Sequence, residues 1–195
     1  GDIIRGARKA LQRAGLPSCF WPFAAEHYCF MENVHFTPDQ ESAWSRTHGD
    51  EFDGALIPFG AKVTFRAAAT TNLPKTKFNA PTQTGIFAGY ELTYGYKWTG
   101  TYKVWILDDF GNVDLSEDAV IKVARLAEPP KTKTVELPAD GVVFPLKVEF
   151  DRINYTLEGA TERALREQGP LDLPGDDDHV APANPSGADR WLQIG

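Results

Sequence analysis

The feature that most constrains this chain is a change of hydrophobic period at Pro58. Before it, apolar residues recur at helical spacing. After it come short β-branched and aromatic runs broken by Gly, Pro, Asn and Asp. A chain with both patterns is neither all-helical nor all-β. In 2–14, Ile3, Ile4, Ala7, Leu11 and Ala14 mark one helix face, and Arg5, Arg8, Lys9 and Arg13 lie largely on the other. Gly15 and Pro17 stop that helix. Ser18 is placed to cap a second helix through CFWPFAAEHYCFMEN, with Pro22 tolerated in its first turns. That helix is apolar nearly all round, so it is expected to be buried or to pack against something outside the fragment.

Residues 34–58 read as a connector with a short helical patch near ESAWSRT. AKVTFRA, TGIFAGYE, TYKVWILDD and AVIKVARL then read as strands of a small antiparallel barrel or meander over about 57–127. Val63, Phe65 and Val104, Ile106 show period two. Further along, VVFPLKVEF and RINYTL read as strands and ATERALREQ as a helix. From Gly169 the chain is rich in Pro, Gly and Asp and reads as a disordered acidic linker. With Gly1 first and Met31 its only Met, the chain reads as an internal piece of a longer polypeptide.

Composition narrows the function classes. The 42% hydrophobic content, with 5 Trp, 6 Tyr and 12 Phe, supplies a core, while apolar runs fall short of the roughly 20 residues of a membrane span. Two Cys exclude a disulfide framework. The net charge of −7 opposes generic polyanion binding. It is uneven: −3 over 1–56, +2 over 57–127 and −6 over 128–195. The acidic remainder should repel phosphate, so removing 128–195 is expected to strengthen any contact with DNA.

Cys19, His27, Cys29 and His35 invite a zinc reading, but their spacing matches no structural zinc pattern. His27 and Cys29, two apart on a helix, point in different directions. The plainer reading is a pair of buried thiols with a surface or capped His. A thiol nucleophile is disfavoured by the apolar surroundings of Cys29. Asp108-Asp109 reads as a strand end before the Phe110-Gly111-Asn112 turn, and Asp176–Asp178 falls in the linker. Two basic groups are the candidate nucleic-acid contacts: Arg5, Arg8, Lys9, Arg13 on the first helix, and Lys62, Arg66, Lys75, Lys77 around the first strand with Phe65 and Phe78 between them. The alternatives are a solvated helix face and edge-strand lysines that oppose aggregation.

Two segments carry a resemblance. Ala14-Gly-Leu-Pro17, Phe20-Trp21-Pro22, Ala24 and Asn33 resemble the last helices of the integrase core in Copia-type retrotransposon Pol polyproteins. Pro58-Phe59-Gly60-Ala61-Lys62-Val63, Lys77-Phe78 and Gly85-Ile86-Phe87-Ala88-Gly89-Tyr90 are similar to the SH3-like domain that follows that core, and Trp98-Thr-Gly-Thr-Tyr102-Lys-Val104 fits one subgroup. The motifs run in the family's order across about 3–126, with Ala88 in place of the usual Leu.

The resemblance implies an α+β chain in four parts. Residues 1–56 would be the C-terminal helices of an RNase H-like core with a connector, and 57–127 an SH3-like β-barrel. Residues 128–168 would be an extension and 169–195 a disordered linker toward reverse transcriptase. Phe87 and Tyr90 would project to opposite faces, and Phe20 and Trp21 would pack against the missing sheet of the core. The family's two Asp and one Glu, which hold divalent metal (Mg²⁺), lie upstream of Asp2, so this fragment is expected to be catalytically inert, with no cofactor of its own. The implied partners are DNA, bound weakly and without sequence preference, the rest of the polyprotein and a second copy of the chain. No membrane partner is implied. The implied location is intracellular, in a cytoplasmic particle and the nucleus. The other class of reading is a host module whose SH3-like barrel binds peptide or chromatin.

Overall fold

The computed structural model describes residues 1–36, 38, 40–66 and 82–169. The architecture is α+β: an antiparallel five-stranded sheet with helices packed against it.

Helix α1 (Asp2–Ala14) buries Ala7, Leu11 and Ala14. Gly15, at φ +72°, ends it by donating its N–H to the Leu11 carbonyl. A Cβ there would also meet the Lys147 Cα at 2.6 Å, so the same glycine admits the chain that crosses behind it. Ser18 does not cap by its side chain. Its N–H donates to the Glu117 carbonyl, and Ser18–Phe20 forms a 3-10 turn that leads into α2 (Trp21–Val34). Phe20 packs on a sheet that is present: its ring lies 5.1 Å from that of Trp105, whereas Trp21 is exposed. A short helix, α3 (Ala43–His48), starts where expected, with the Ser42 hydroxyl accepting from Ser45 N–H.

Strands β1 (Lys62–Phe65), β2 (Gln83–Thr93) and β3 (Lys97–Ile106) form the centre of the sheet in sequence order. Val63 and Phe65 face the same core as Phe87 and Val104. The middle of β2 and the end of β3 are buried on both faces. Ile86, Ala88 and Trp105 meet α1, α2 and the loop after β3, while Phe87, Val104 and Ile106 face the other way. The Trp105 indole N–H donates to the Leu126 carbonyl at 3.0 Å.

Phe87 and Tyr90 do not point to opposite faces: their rings meet at 5.2 Å in one core. Phe87 pairs with Val104 but Gly89 with Lys103, so β2 carries one extra residue. That bulge, with Gly89 at φ +144°, turns Tyr90 back to the side of Phe87.

Beyond β3 the structure departs from the strand expectations. AVIKVARL is irregular and then forms the short helix α4 (Ala124–Ala127). VVFPLKVEF and RINYTL are not strands: residues 142–146 are irregular, and α5 (Lys147–Tyr155) and α6 (Leu157–Gln168) follow. Leu146, Phe150 and Ile153 are the buried positions of this stretch, at helical spacing, while Val148 is exposed and blurs the pattern. The i,i+4 pair Lys147–Asp151 and the i,i+3 pair Glu149–Arg152 favour the helix.

Two dipeptide strands complete the sheet, β4 (Lys131–Thr132) beside β3 and β5 (Val135–Glu136) beside β1, giving the order β4-β3-β2-β1-β5. In a flat sheet, strands four places apart are separated by about 19 Å. From Thr132 to Val135 the chain reaches only about 11 Å. The sheet is therefore strongly curled, its two edges brought together by Lys133-Thr134. The Thr132 hydroxyl donates to the Arg66 carbonyl at 2.6 Å between those edges.

Candidate nucleic-acid interface

The first basic group is set by the helical period. With Ala7, Leu11 and Ala14 turned inward, Arg5, Arg8, Lys9 and Arg13 all fall on the exposed side of α1. Arg5 pairs with Asp2 at 2.6 Å, an exposed contact worth little. Arg8 and Lys9 make no ion pair among the described residues. The Arg13 guanidinium lies 5.4 Å from the centre of the Phe144 ring.

The second group divides. Lys62 and Arg66 lie two positions either side of Thr64, on the strand face opposite Val63 and Phe65. The strand is not an edge: β2 flanks it on one side, β5 on the other, and the Lys62 N–H donates to the Val143 carbonyl. The reading of Lys62 as an edge-strand guard therefore does not apply. Thr64 pairs directly with Glu136, which sets an acidic residue between the two cations. Lys75, Lys77 and Phe78 lie outside the described residues. The structure brings Arg13 and Lys62 to one region through Val143 and Phe144, and leaves Arg66 at the far end of β1.

Below the α1 stripe, a groove of about 500 Å³ runs between α1 and α2. Lys9 and Arg13 stand on one lip and Glu32 on the other, with Ala10, Met31, Pro58 and Phe59 between them. Gly6 makes room for one wall: a Cβ there would sit 2.2 Å from the Tyr28 ring. His27 lines the same groove and is almost fully buried. Its Nε2 lies 2.9 Å from the Ile57 carbonyl oxygen, which can only accept, so Nε2 carries the proton and Nδ1 remains an acceptor. Burial lowers the His27 pKa to about 4; the Ile57 carbonyl opposes that shift and Arg13 adds to it. The imidazole is neutral at physiological pH.

The segment that carries Ile57 is held by two tyrosines. The Tyr90 hydroxyl donates to the Ala55 carbonyl and accepts from Ile57 N–H, while the Tyr102 hydroxyl accepts from Ala55 N–H. Burial raises the Tyr90 pKa. Sequence reading missed both His27 as a groove residue and this latch. The available signal was a lone His within an apolar helix.

The metal and thiol candidates are placed differently from expectation. Cys19 is exposed and Cys29 half-buried, so the thiols are not a buried pair, and the buried group is His27. Among the described residues no three His, Cys, Asp or Glu side chains gather for a metal. Asp108 and Asp109 lie in a 3-10 turn directly after β3, where Asp109 pairs with Arg125 at 3.2 Å. No described helix is long and apolar enough to cross a membrane. The chain matches no protein-family model, no curated protein and no solved structure.

Proposed function

We propose that this chain is a non-catalytic segment of a retrotransposon-type integrase: the closing helices of an RNase H-like core followed by an SH3-like barrel, which together hold DNA beside a catalytic centre supplied elsewhere in the polyprotein. The observation that carries the reading is the exposed stripe of Arg8, Lys9 and Arg13 on a helix packed against a curled small sheet. Two consecutive dipeptide strands, which bring the opposite edges of the sheet near each other, support the barrel. The ordered sequence motifs support the family. The resemblance puts the three carboxylates that would bind Mg²⁺ upstream of Asp2. DNA binding is weak and sequence-independent, and the other partners are the remaining polyprotein and a second copy of the chain. The reading places the protein in cytoplasmic particles and the nucleus.

Fluorescence anisotropy with duplex DNA at two salt concentrations tests this. The expected Kd is on the order of 10⁻⁴ to 10⁻⁶ M and weakens steeply with salt. Replacing Arg8, Lys9 and Arg13 by Ala should weaken binding at least tenfold. Unchanged affinity in that triple variant overturns the assignment of the stripe.

The reading as a host peptide-binding module rests on a separate feature. A cavity of about 350 Å³ between Trp44, His48, Asn33 and the exposed Tyr96 has the mixed aromatic and polar lining of a side-chain pocket.

A further inference from the structure

The groove between α1 and α2 has more chemistry than a phosphate-binding surface requires. Lys9 and Arg13 on the lip suffice to hold a backbone. Beneath them the walls are apolar and aromatic, and the one deeply buried polar ring, His27, has its Nε2 occupied by Ile57 and keeps Nδ1 as an acceptor. A duplex presents phosphates on its outside and keeps its bases stacked, so it would use the lip alone. A strand with unstacked bases would use both the lip and the cleft.

We infer that this groove is a single-stranded nucleic-acid site, in which Lys9 and Arg13 hold the phosphates while one splayed base enters between α1 and α2, lies against Tyr28 and donates an N–H to His27 Nδ1. The inference rests on the nucleic-acid reading above and names the form of ligand. The volume of about 500 Å³ falls in the range of small-ligand sites and accommodates a base with its sugar. Adenine, cytosine, guanine and thymine each offer at least one N–H, so the site selects for an unpaired base and not for a sequence. Glu32 on the opposite lip repels phosphate and restricts the backbone to the α1 side. The charges are few, so base contact supplies a large share of the affinity.

The test uses the full chain and three probes of equal length: a mixed-sequence single strand, an abasic strand with the same phosphates, and the duplex. The single strand should bind roughly tenfold tighter than the abasic strand, the scale of one base–aromatic contact. Ala10→Leu fills the groove with another good helix former and should abolish that difference while both probes still bind. Circular dichroism checks the variant's fold. On the unmodified chain, the ¹⁵N resonance of His27 Nδ1 should move with the single strand and not with the abasic strand. Equal affinity for the single and abasic strands, tighter binding of the duplex, a difference that survives Ala10→Leu, or an unmoved Nδ1 each overturns the site and leaves the general nucleic-acid reading standing. Failure of all three probes to bind overturns both.

Discussion

His27 shows how far one residue's chemistry depends on its surroundings. Packed among Phe59, Phe87 and Tyr90, with centroid distances of 5.7, 5.9 and 6.0 Å, it stays neutral because a charge there would lose its water. Its folded-state pKa of about 4 lies below the ordinary 6.5, so as pH falls the unfolded chain takes up the proton first. The associated stability is complete above pH 6.5 and is lost as pH falls toward 4, about 3 kcal/mol in all. Urea unfolding at pH 7.5 and pH 5 should show the unmodified chain losing about 2 kcal/mol through this group, a loss absent in His27→Gln. Phe20 belongs at the same scale. Its ring fills the space beside Trp105 and Phe110, and Phe20→Ala should cost about 3–5 kcal/mol in the same assay.

Among the elements, β2 has the most exacting local geometry. Its bulge turns Tyr90 into the core beside Phe87, where its hydroxyl reaches Ala55 and Ile57. Gly89 holds φ +144°, a region closed to side chains, although a Cβ would meet nothing nearer than 3.7 Å. Gly89→Ala should therefore destabilise through backbone strain alone, by about 1–3 kcal/mol, measured by thermal unfolding. Between the two sheet edges, Thr132 donates to the Arg66 carbonyl and accepts from Thr134 N–H. Thr132→Val leaves that carbonyl without this donor and should cost about 1–3 kcal/mol.

For the whole molecule, the extension after residue 127 is part of the architecture. It supplies β4 and β5 to the sheet, and α5 packs against α1 through Phe150 and Ile153. Truncation after 127, which the charge distribution favours as a way to strengthen DNA binding, would remove both sheet edges and the cover of α1. That truncated chain should lose its cooperative thermal transition, whereas one ending at Gly169 should keep it; circular dichroism melting distinguishes the two. The cut at 169 still removes five Asp and one Arg, bringing the net charge from −7 to −3. It should therefore tighten binding to DNA at low salt, measured by anisotropy, and the gain should shrink as salt screens the tail.

The sequence by itself determined the two N-terminal helices, the patch at Ala43–His48, the three central strands and the exposure of the α1 cations. Each of these follows from a local period or a local stop signal such as Gly15. Tertiary structure alone decided the rest. VVFPLKVEF became an irregular stretch running into α5 because the partners of Leu146 and Phe150 lie in distant parts of the chain. Its β-branched residues had pointed to a strand, and propensity yields to such packing. The bulge that redirects Tyr90 arises from a register between two strands, which neither strand encodes alone. The groove beside His27 exists because Gly6, Tyr28 and Pro58, more than fifty residues apart at the extremes, converge on one cleft. Period and composition report which face a residue turns inward. They do not report what it meets there, because that is fixed by contacts between segments far apart in the chain.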